Sequence, residues 1–270
     1  MIHKNSSENI IELENIYVTY EILPVLENIN LKISTNQHWV ILGANGSGKS
    51  SLIKLFSNDL YPNTKYPYKK LIFGEERWNI FDLKKNLGII TNDLHKCFET
   101  HGRLLTAYEV VLSGYYSSMG VFEHHDITKE QHKKALEVLD FLEITDIKDK
   151  KVSQMSTGQL RRCIIGRALI HEPKAFILDE PTVGLDIKAQ DNCIKFLRKL
   201  SGKSSIILVT HHVEEIFPEI THAALLYNKT IFKQGKKENV LTSENLSEIF
   251  GIKVDLQQEN GRYYIKSINQ

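Results

Sequence analysis

Apolar and polar residues alternate through the opening stretch, about Ile10 to Ile33. The apolar positions are Ile11 and Leu13, then Ile16, Val18 and Tyr20, then Ile29, Leu31 and Ile33. A period of two predicts two or three antiparallel strands with one buried face. The pattern then becomes an unbroken apolar run, Trp39-Val40-Ile41-Leu42, which enters a group of glycines and a helical pattern from Lys49 through Phe56. From about Asn92 to Gln159 the period is helical. Thr128 and Gln131 have capping-box spacing ahead of a helix with Ala135, Leu136, Leu139 and Leu142 on one face. A further helix is expected from Gly158 to Ile170, stopped at His171-Glu172-Pro173. Apolar strands at Ala175–Leu178 and Ile206–Val209 flank a helical stretch from about Ile187 to Leu200. Short strands are expected at Ala223–Tyr227 and Thr230–Phe232, then a small helix near Glu244–Phe250. A terminal hairpin of Val254–Leu256 and Tyr263–Ile265 would turn across Glu259-Asn260-Gly261. Strands alternating with helices predict an α/β fold whose mainly parallel sheet is covered on both faces. With no internal repeat or Pro/Gly linker, one domain over 1–270 is expected. Within it we place an antiparallel β subdomain at about 10–35, a helical subdomain at about 92–160 and a C-terminal extension at 224–270.

Composition narrows the function. Hydrophobic residues make up 41% and charged residues 25%, the range of a globular protein. The net charge is +1, so no basic field points to nucleic acid, and any anionic ligand must be read from local motifs. No apolar run approaches the ~18 residues of a transmembrane helix, and Met1–Ser7 is polar, unlike a signal peptide. Cys97, Cys163 and Cys193 match no disulfide or metal spacing and are expected to be reduced thiols of a cytoplasmic protein. The pairs His124-His125 and His211-His212 lack a third ligand at metal spacing. The Lys148, Lys150, Lys151, Arg161 and Arg162 cluster reads as a solvated face.

Gly43-Ala44-Asn45-Gly46-Ser47-Gly48-Lys49-Ser50 fits G-x-x-x-x-G-K-[ST] between a strand and a helix. Glycines let backbone N–H groups turn in around phosphate oxygens, and the helix start adds partial positive charge. Lys49 would reach the β and γ phosphates, and Ser50 would take a Mg²⁺ position. A bare glycine-rich turn would not need the strand and helix on either side. Ala175-Phe176-Ile177-Leu178-Asp179-Glu180 is an apolar strand ending in two acids, at the end of a parallel strand where ligand crevices lie. Asp179 would hold Mg²⁺ and Glu180 would orient and deprotonate an attacking water. Without the phosphate loop, the same strand would read as ending in a solvated acidic turn.

Met155-Ser156-Thr157-Gly158-Gln159, followed by Leu160-Arg161-Arg162, resembles the Leu-Ser-Gly-Gly-Gln signature of ATP-binding cassette proteins. Asp179-Glu180-Pro181, Gly184-Leu185-Asp186 and Thr210-His211 follow in that family's order, and Tyr20 ahead of Val25-Leu26 occupies the place of its adenine-stacking aromatic. The match spans roughly residues 10 to 235 and implies a phosphate-loop NTPase cassette fold. The resemblance implies ATP and Mg²⁺ as ligands and a head-to-tail pair of cassettes with each ATP sandwiched between one phosphate loop and the partner's signature. Ser156, Gly158 and Gln159 would then face the second copy's ATP, Asp186 would cross to the partner's loop, and His211 would contact the γ-phosphate. Ser51 extends the phosphate loop. Thr157 replaces the signature's first glycine. Asn92 in Leu87-Gly88-Ile89-Ile90-Thr91-Asn92 stands where the family has a Mg²⁺-touching glutamine, and it reaches about 1.5 Å less far, one carbon–carbon bond. The stretch Ser113–Phe122 is similar to molybdenum-transport-type cassettes, and Leu241-Thr242 with Phe250-Gly251 to those of metal-chelate importers. The resemblance implies an ATPase that powers transport through a separate membrane permease. The alternative is a soluble cassette ATPase with a regulatory or complex-remodelling role and no membrane partner.

Overall fold

The alternating pattern forms two twelve-residue strands, β1 (Asn9–Tyr20) and β2 (Leu23–Ser34), paired antiparallel. Apolar parity changes from odd at Ile11 and Leu13 to even at Ile16 and Val18 because Asn15 takes φ 54° and the ladder shifts there. Its N–H is held by Asn30 Oδ1 at 2.8 Å. Asn28, at φ 49°, makes the matching shift between Leu26 and Ile29. Asparagine tolerates this left-handed region, so both bulges keep the apolar side chains on one face. The computed structural model describes residues 9–122 and 126–269, so the readings of Met1–Ser7 and His124-His125 lie outside the described residues. The chain divides into two units, Met1–Ile80 with Ser205–Gln270, and Phe81–Ser204.

In the first unit β3 (Trp39–Leu42) is buried along its length and leads into α1 (Lys49–Phe56). β4 (Lys69–Ile72), which the pattern does not predict, pairs with the free edge of β1.

α2 (Ile80–Asn86) leads into the second unit at Phe81, followed by β5 (Leu87–Ile90). Then come α3 (Asn92–His101), α4 (Ala107–Leu112), α5 (Lys129–Phe141), α6 (Thr157–Leu169), β6 (Ala175–Asp179) and α7 (Ile187–Ser201). β5 and β6 run parallel, Ile89 beside Ile177. Thr91, Thr106, Thr128, Ser156 and Asp186 each cap the helix that follows them by accepting a backbone N–H. Gly166 lets α6 approach α4 and α5: a Cβ there would stand 2.5 Å from Leu142, 3.0 Å from Val111 and 3.2 Å from Val138.

Returning to the first unit, β7 (Ser205–Thr210) and β8 (His222–Tyr227) flank β3, both parallel to it. β9 (Thr230–Lys236) adds an antiparallel edge. After α8 (Lys237–Val240) and α9 (Ser243–Phe250), β10 (Lys253–Glu259) and β11 (Arg262–Asn269) close the chain. They form the expected hairpin, turning at Asn260 and Gly261 with φ 52° and 76°, the left-handed pair of a two-residue turn. The core strands of both units are thus mostly parallel. Phe56 and Phe217 are fully buried in one unit, Phe98 and Phe176 in the other. No helix among the described residues is long and apolar enough to cross a membrane. Cys163 and Cys193 are buried and form no disulfide, and burial pushes the Cys163 thiol up to about 12.

Gly166→Ala should destabilise the chain by about 1–3 kcal/mol, the range for overpacking a filled core. Gly202→Ala, where the nearest atom to a Cβ is 3.5 Å away, should be close to neutral. Urea unfolding midpoints of the two variants make the comparison; equal midpoints would contradict this packing.

Candidate functional site

The glycine-rich loop Gly43–Ser51 and His211 fall in the first unit. β3 delivers the chain to Gly43, whose N–H donates to Thr210 O at 3.3 Å. A Cβ on Gly43 would lie 2.4 Å from Leu226 O and 2.6 Å from Ser47 Oγ, so only glycine fits. The loop turns at Gly46, φ 81°, and Gly48, φ 112°, where α1 begins. Gly48 provides no side-chain cap, in contrast to the residues ahead of α3 to α7. The first N–H groups of any helix have no acceptor within their own helix and favour an anion.

Lys49 is 7% exposed, and its Nζ donates to Gly43 O at 2.8 Å and Ala44 O at 3.1 Å. The ammonium is thus stored inside the loop on main-chain carbonyls. Ser47 Oγ is buried with no hydrogen-bond partner among the described residues. Asn45, Gly46 and Ser50 are exposed, and Ser51 is half-buried. Main-chain donors, a cation and an unsatisfied hydroxyl around one glycine-lined turn fit a polyphosphate.

The β1–β2 hairpin is tied to this loop. Glu27 N–H donates to Lys229 O at 2.9 Å, and Lys229 N–H to Ser47 O at 3.1 Å. Tyr20 ends β1 at 51% exposure, beside exposed Ile22 and Leu23, and so stands as an open aromatic face rather than part of the buried strand pattern. Thr210, whose carbonyl holds Gly43, also accepts from His212 N–H at 2.9 Å through its hydroxyl. His211 follows it, half-buried, its ring 3.9 Å from that of exposed His212.

Asp179, Glu180, Asp186, Asn92 and the signature lie in the second unit. β6 ends in half-buried Asp179 and Glu180, and Glu180 takes φ 47° to start the turn in which Val183 N–H bonds its carbonyl at 3.2 Å. Ser156 Oγ accepts from Gln159 N–H at 3.3 Å, and Gln159 Oε1 accepts from Ser156 N–H and from Lys150 Nζ, both at 3.0 Å. Gln159 thus places its side chain in the cap of α6. Asp186 Oδ1 caps α7 through Ala189 N–H at 2.8 Å. A Cβ on Gly158 would stand 3.3 Å from Ala189 Cβ, so the two helix starts meet. A pocket beside them is lined by Ser156, Gly158, Asp186 and Lys188. Two converging helix N-termini favour an anion there.

Asn92 is the first residue of α3, half-buried, and its Oδ1 accepts from Arg161 Nη2 at 2.8 Å. Arg161 is 2% exposed, which corrects its assignment to a solvated face. Lys148 and Lys151 are exposed as expected, and Arg162 is half-buried. Beside Arg161, His95 is 5% exposed, with Glu99 Oε1 3.2 Å from its Nε2. Burial first, and then the Arg161 cation, hold the His95 pKa below its ordinary value. Sequence reasoning missed this cluster, although Arg161 stands on α6 beside the apolar Leu160, Ile164 and Ile165, all of them buried.

The family model for ABC transporter proteins matches residues 26–183. The chain is 29% identical over 265 residues to an uncharacterized ABC transporter ATP-binding protein, YlmA, of Bacillus subtilis, covering 95% of this chain and 96% of that one. It is 34% identical over 223 residues to the ABC transporter ATP-binding protein ModF of Escherichia coli, covering 80% of this chain but only 44% of ModF. Among solved structures it resembles the dimeric bacterial ABC transporter cassette MJ0796, with 27% identity, a TM-score of 0.67, and 84% of this chain and 98% of that chain covered.

Removing the stored ammonium with Lys49→Ala should raise the dissociation constant for ATP about tenfold or more, the worth of a charge-assisted hydrogen bond. Titration with a fluorescent ATP analogue measures this, and an unchanged affinity would contradict the role given to Lys49.

Proposed function

The chain belongs to the ABC transporter family, and from that membership we propose that it is an ATP-hydrolysing subunit working as a head-to-tail pair of copies beneath a separate membrane permease. One observation carries the reading: the uncapped start of α1 behind a left-handed Gly48, with Lys49 stored on the loop's own carbonyls. Tyr20 would stack on adenine. Gly43 to Ser51 would take the phosphates on main-chain N–H groups, with Lys49 exchanging Gly43 O and Ala44 O for phosphate oxygens. Glu180 would orient the attacking water and accept its proton, and His211 would hydrogen-bond the γ-phosphate. Ser156 and Gly158, at the start of α6, would meet the γ-phosphate of the second copy, with Gln159 fixing that cap and Asp186 fixing the start of α7 beside it.

Ser50 and Asp179 have the oxygen donors that Mg²⁺ prefers, and the bound ion would neutralise charge on the phosphates. Asn92 would join them only by sharing with the ion an oxygen that Arg161 now holds. The permease reading is favoured by large apolar side chains left open in the second unit, Leu104 at 77% and Phe122 at 53% exposure, of the kind a protein partner covers. Docked there, the pair would sit on the cytoplasmic face of the membrane.

Glu180→Gln should abolish hydrolysis yet retain ATP and accumulate a pair with Mg²⁺ and ATP in size-exclusion chromatography. A monomer that hydrolyses at the wild-type rate would sink the assignment. Tyr20→Ala should weaken ATP roughly tenfold, from a stacking contact of about 1–3 kcal/mol, whereas Tyr20→Trp should keep it; equal affinity in all three places the adenine elsewhere. Affinity capture from detergent-solubilised native membranes should bring down a polytopic membrane protein. Its absence there, with full ATPase activity in the isolated chain, would leave an ATPase without a permease.

A further inference from the structure

We propose that Arg161 is a positioning residue that couples the two nucleotide sites of the pair by tying the signature helix of a copy to that copy's own Asn92. The inference rests on the head-to-tail pairing proposed above. In that arrangement a chain lends its Ser156–Gly158 turn to the nucleotide of its partner, while its Asn92 belongs with the nucleotide it binds itself. α6 and α3 of one chain then answer to different nucleotides, and they are joined where Arg161 Nη2 donates to Asn92 Oδ1 at 2.8 Å.

The bond is suited to transmit displacement. A hydrogen bond with one charged partner is the stronger kind, and at 2% exposure of Arg161 water has little access to replace it. Both ends are rigid. Arg161 lies five residues beyond Ser156 on α6, whose first turn is locked by the reciprocal Ser156–Gln159 cap. Asn92 opens α3 directly behind the Thr91 cap. A shift of α6 as Ser156 engages a phosphate is therefore handed to the start of α3. Asparagine suits this better than the longer glutamine, because the shorter side chain holds its oxygen closer to the backbone of α3.

Steady-state ATPase activity of the full chain, measured against ATP concentration, tests the link in wild type, Asn92→Ala, Asn92→Asp, Arg161→Lys and the Asn92→Ala/Arg161→Lys double variant. Urea midpoints establish that each is folded. The wild-type curve should have a Hill coefficient approaching the number of sites, about 2. Asn92→Ala should reduce it to about 1 with roughly a tenfold loss of kcat, and Arg161→Lys in that background should add nothing further. Asn92→Asp, which keeps an acceptor for the guanidinium, should retain the cooperative rise. Should the Arg161 variants fail to fold, the two half-buried Asn92 variants decide alone. Undiminished cooperativity in Asn92→Ala, or its loss in Asn92→Asp as well, overturns the link, as do additive losses in the double variant. Wild type hydrolysing ATP with a Hill coefficient of about 1 overturns the link and leaves the ATPase reading standing. Wild type that neither binds ATP nor pairs removes both.

Discussion

A helix start wraps its first N–H groups around a phosphate most readily where no side chain caps it. That constraint organises the first unit. α1 opens on Gly48 with no capping side chain. The turn into it has φ 112° at Gly48 and φ 81° at Gly46, which only glycine adopts at little cost. The close approach of Gly43 to Leu226 O and Ser47 Oγ excludes a side chain there too. The strands supply the fixed frame. β3 is buried between β7 and β8, and the Gly43 N–H is pinned to Thr210 O, so the loop starts from a backbone that cannot shift alone. Lys49 satisfies its buried charge on two loop carbonyls.

The second unit uses its helix starts differently. α3 to α7 are each closed by a serine, threonine or aspartate, and at α6 and α7 the capping residues are themselves those aligned with the nucleotide motifs, Ser156 and Asp186. Rigid capping and ligand contact need not compete. A capping hydroxyl keeps a lone pair after accepting from Gln159 N–H, and the remaining N–H groups of the turn stay free to point at an anion. Arg161 on the same helix is the costly element, a cation at 2% exposure that needs acceptors, and Asn92 Oδ1 is one. A glutamine at 92 would carry its oxygen one bond further out.

Most of this was legible from local chemistry. Lys49–Phe56 is helical over the expected span, and the Asn260-Gly261 turn produces the expected hairpin, because glycine-containing turns and unbroken apolar runs act at short range. The bulges at Asn15 and Asn28 were readable only in part, since a parity change in the apolar pattern looks the same as the end of a strand. β4 escaped notice because Lys69-Lys70-Leu71-Ile72 has no alternation of its own and is recruited by the edge of β1. The site motifs were legible by residue type, whereas their partners were not. Nothing in the spacing of 92 and 161 reveals a hydrogen bond across 69 positions, and a charge count assigned Arg161 to solvent.

The account turns on the left-handed, uncapped start of α1, and Gly48→Ala addresses it alone. An alanine must either hold φ 112°, with its Cβ 3.0 Å from Leu26 Cδ2 and 3.1 Å from Val25 O, or relax and turn the first N–H groups away. The left-handed penalty is about 1–2 kcal/mol, small enough for the chain to stay folded. Calorimetric titration of Mg²⁺ and ATP onto wild type and Gly48→Ala, with urea midpoints alongside, is the direct measurement. The account predicts a folded variant whose affinity for ATP falls about tenfold or more. A folded variant that binds ATP as tightly as wild type would contradict it.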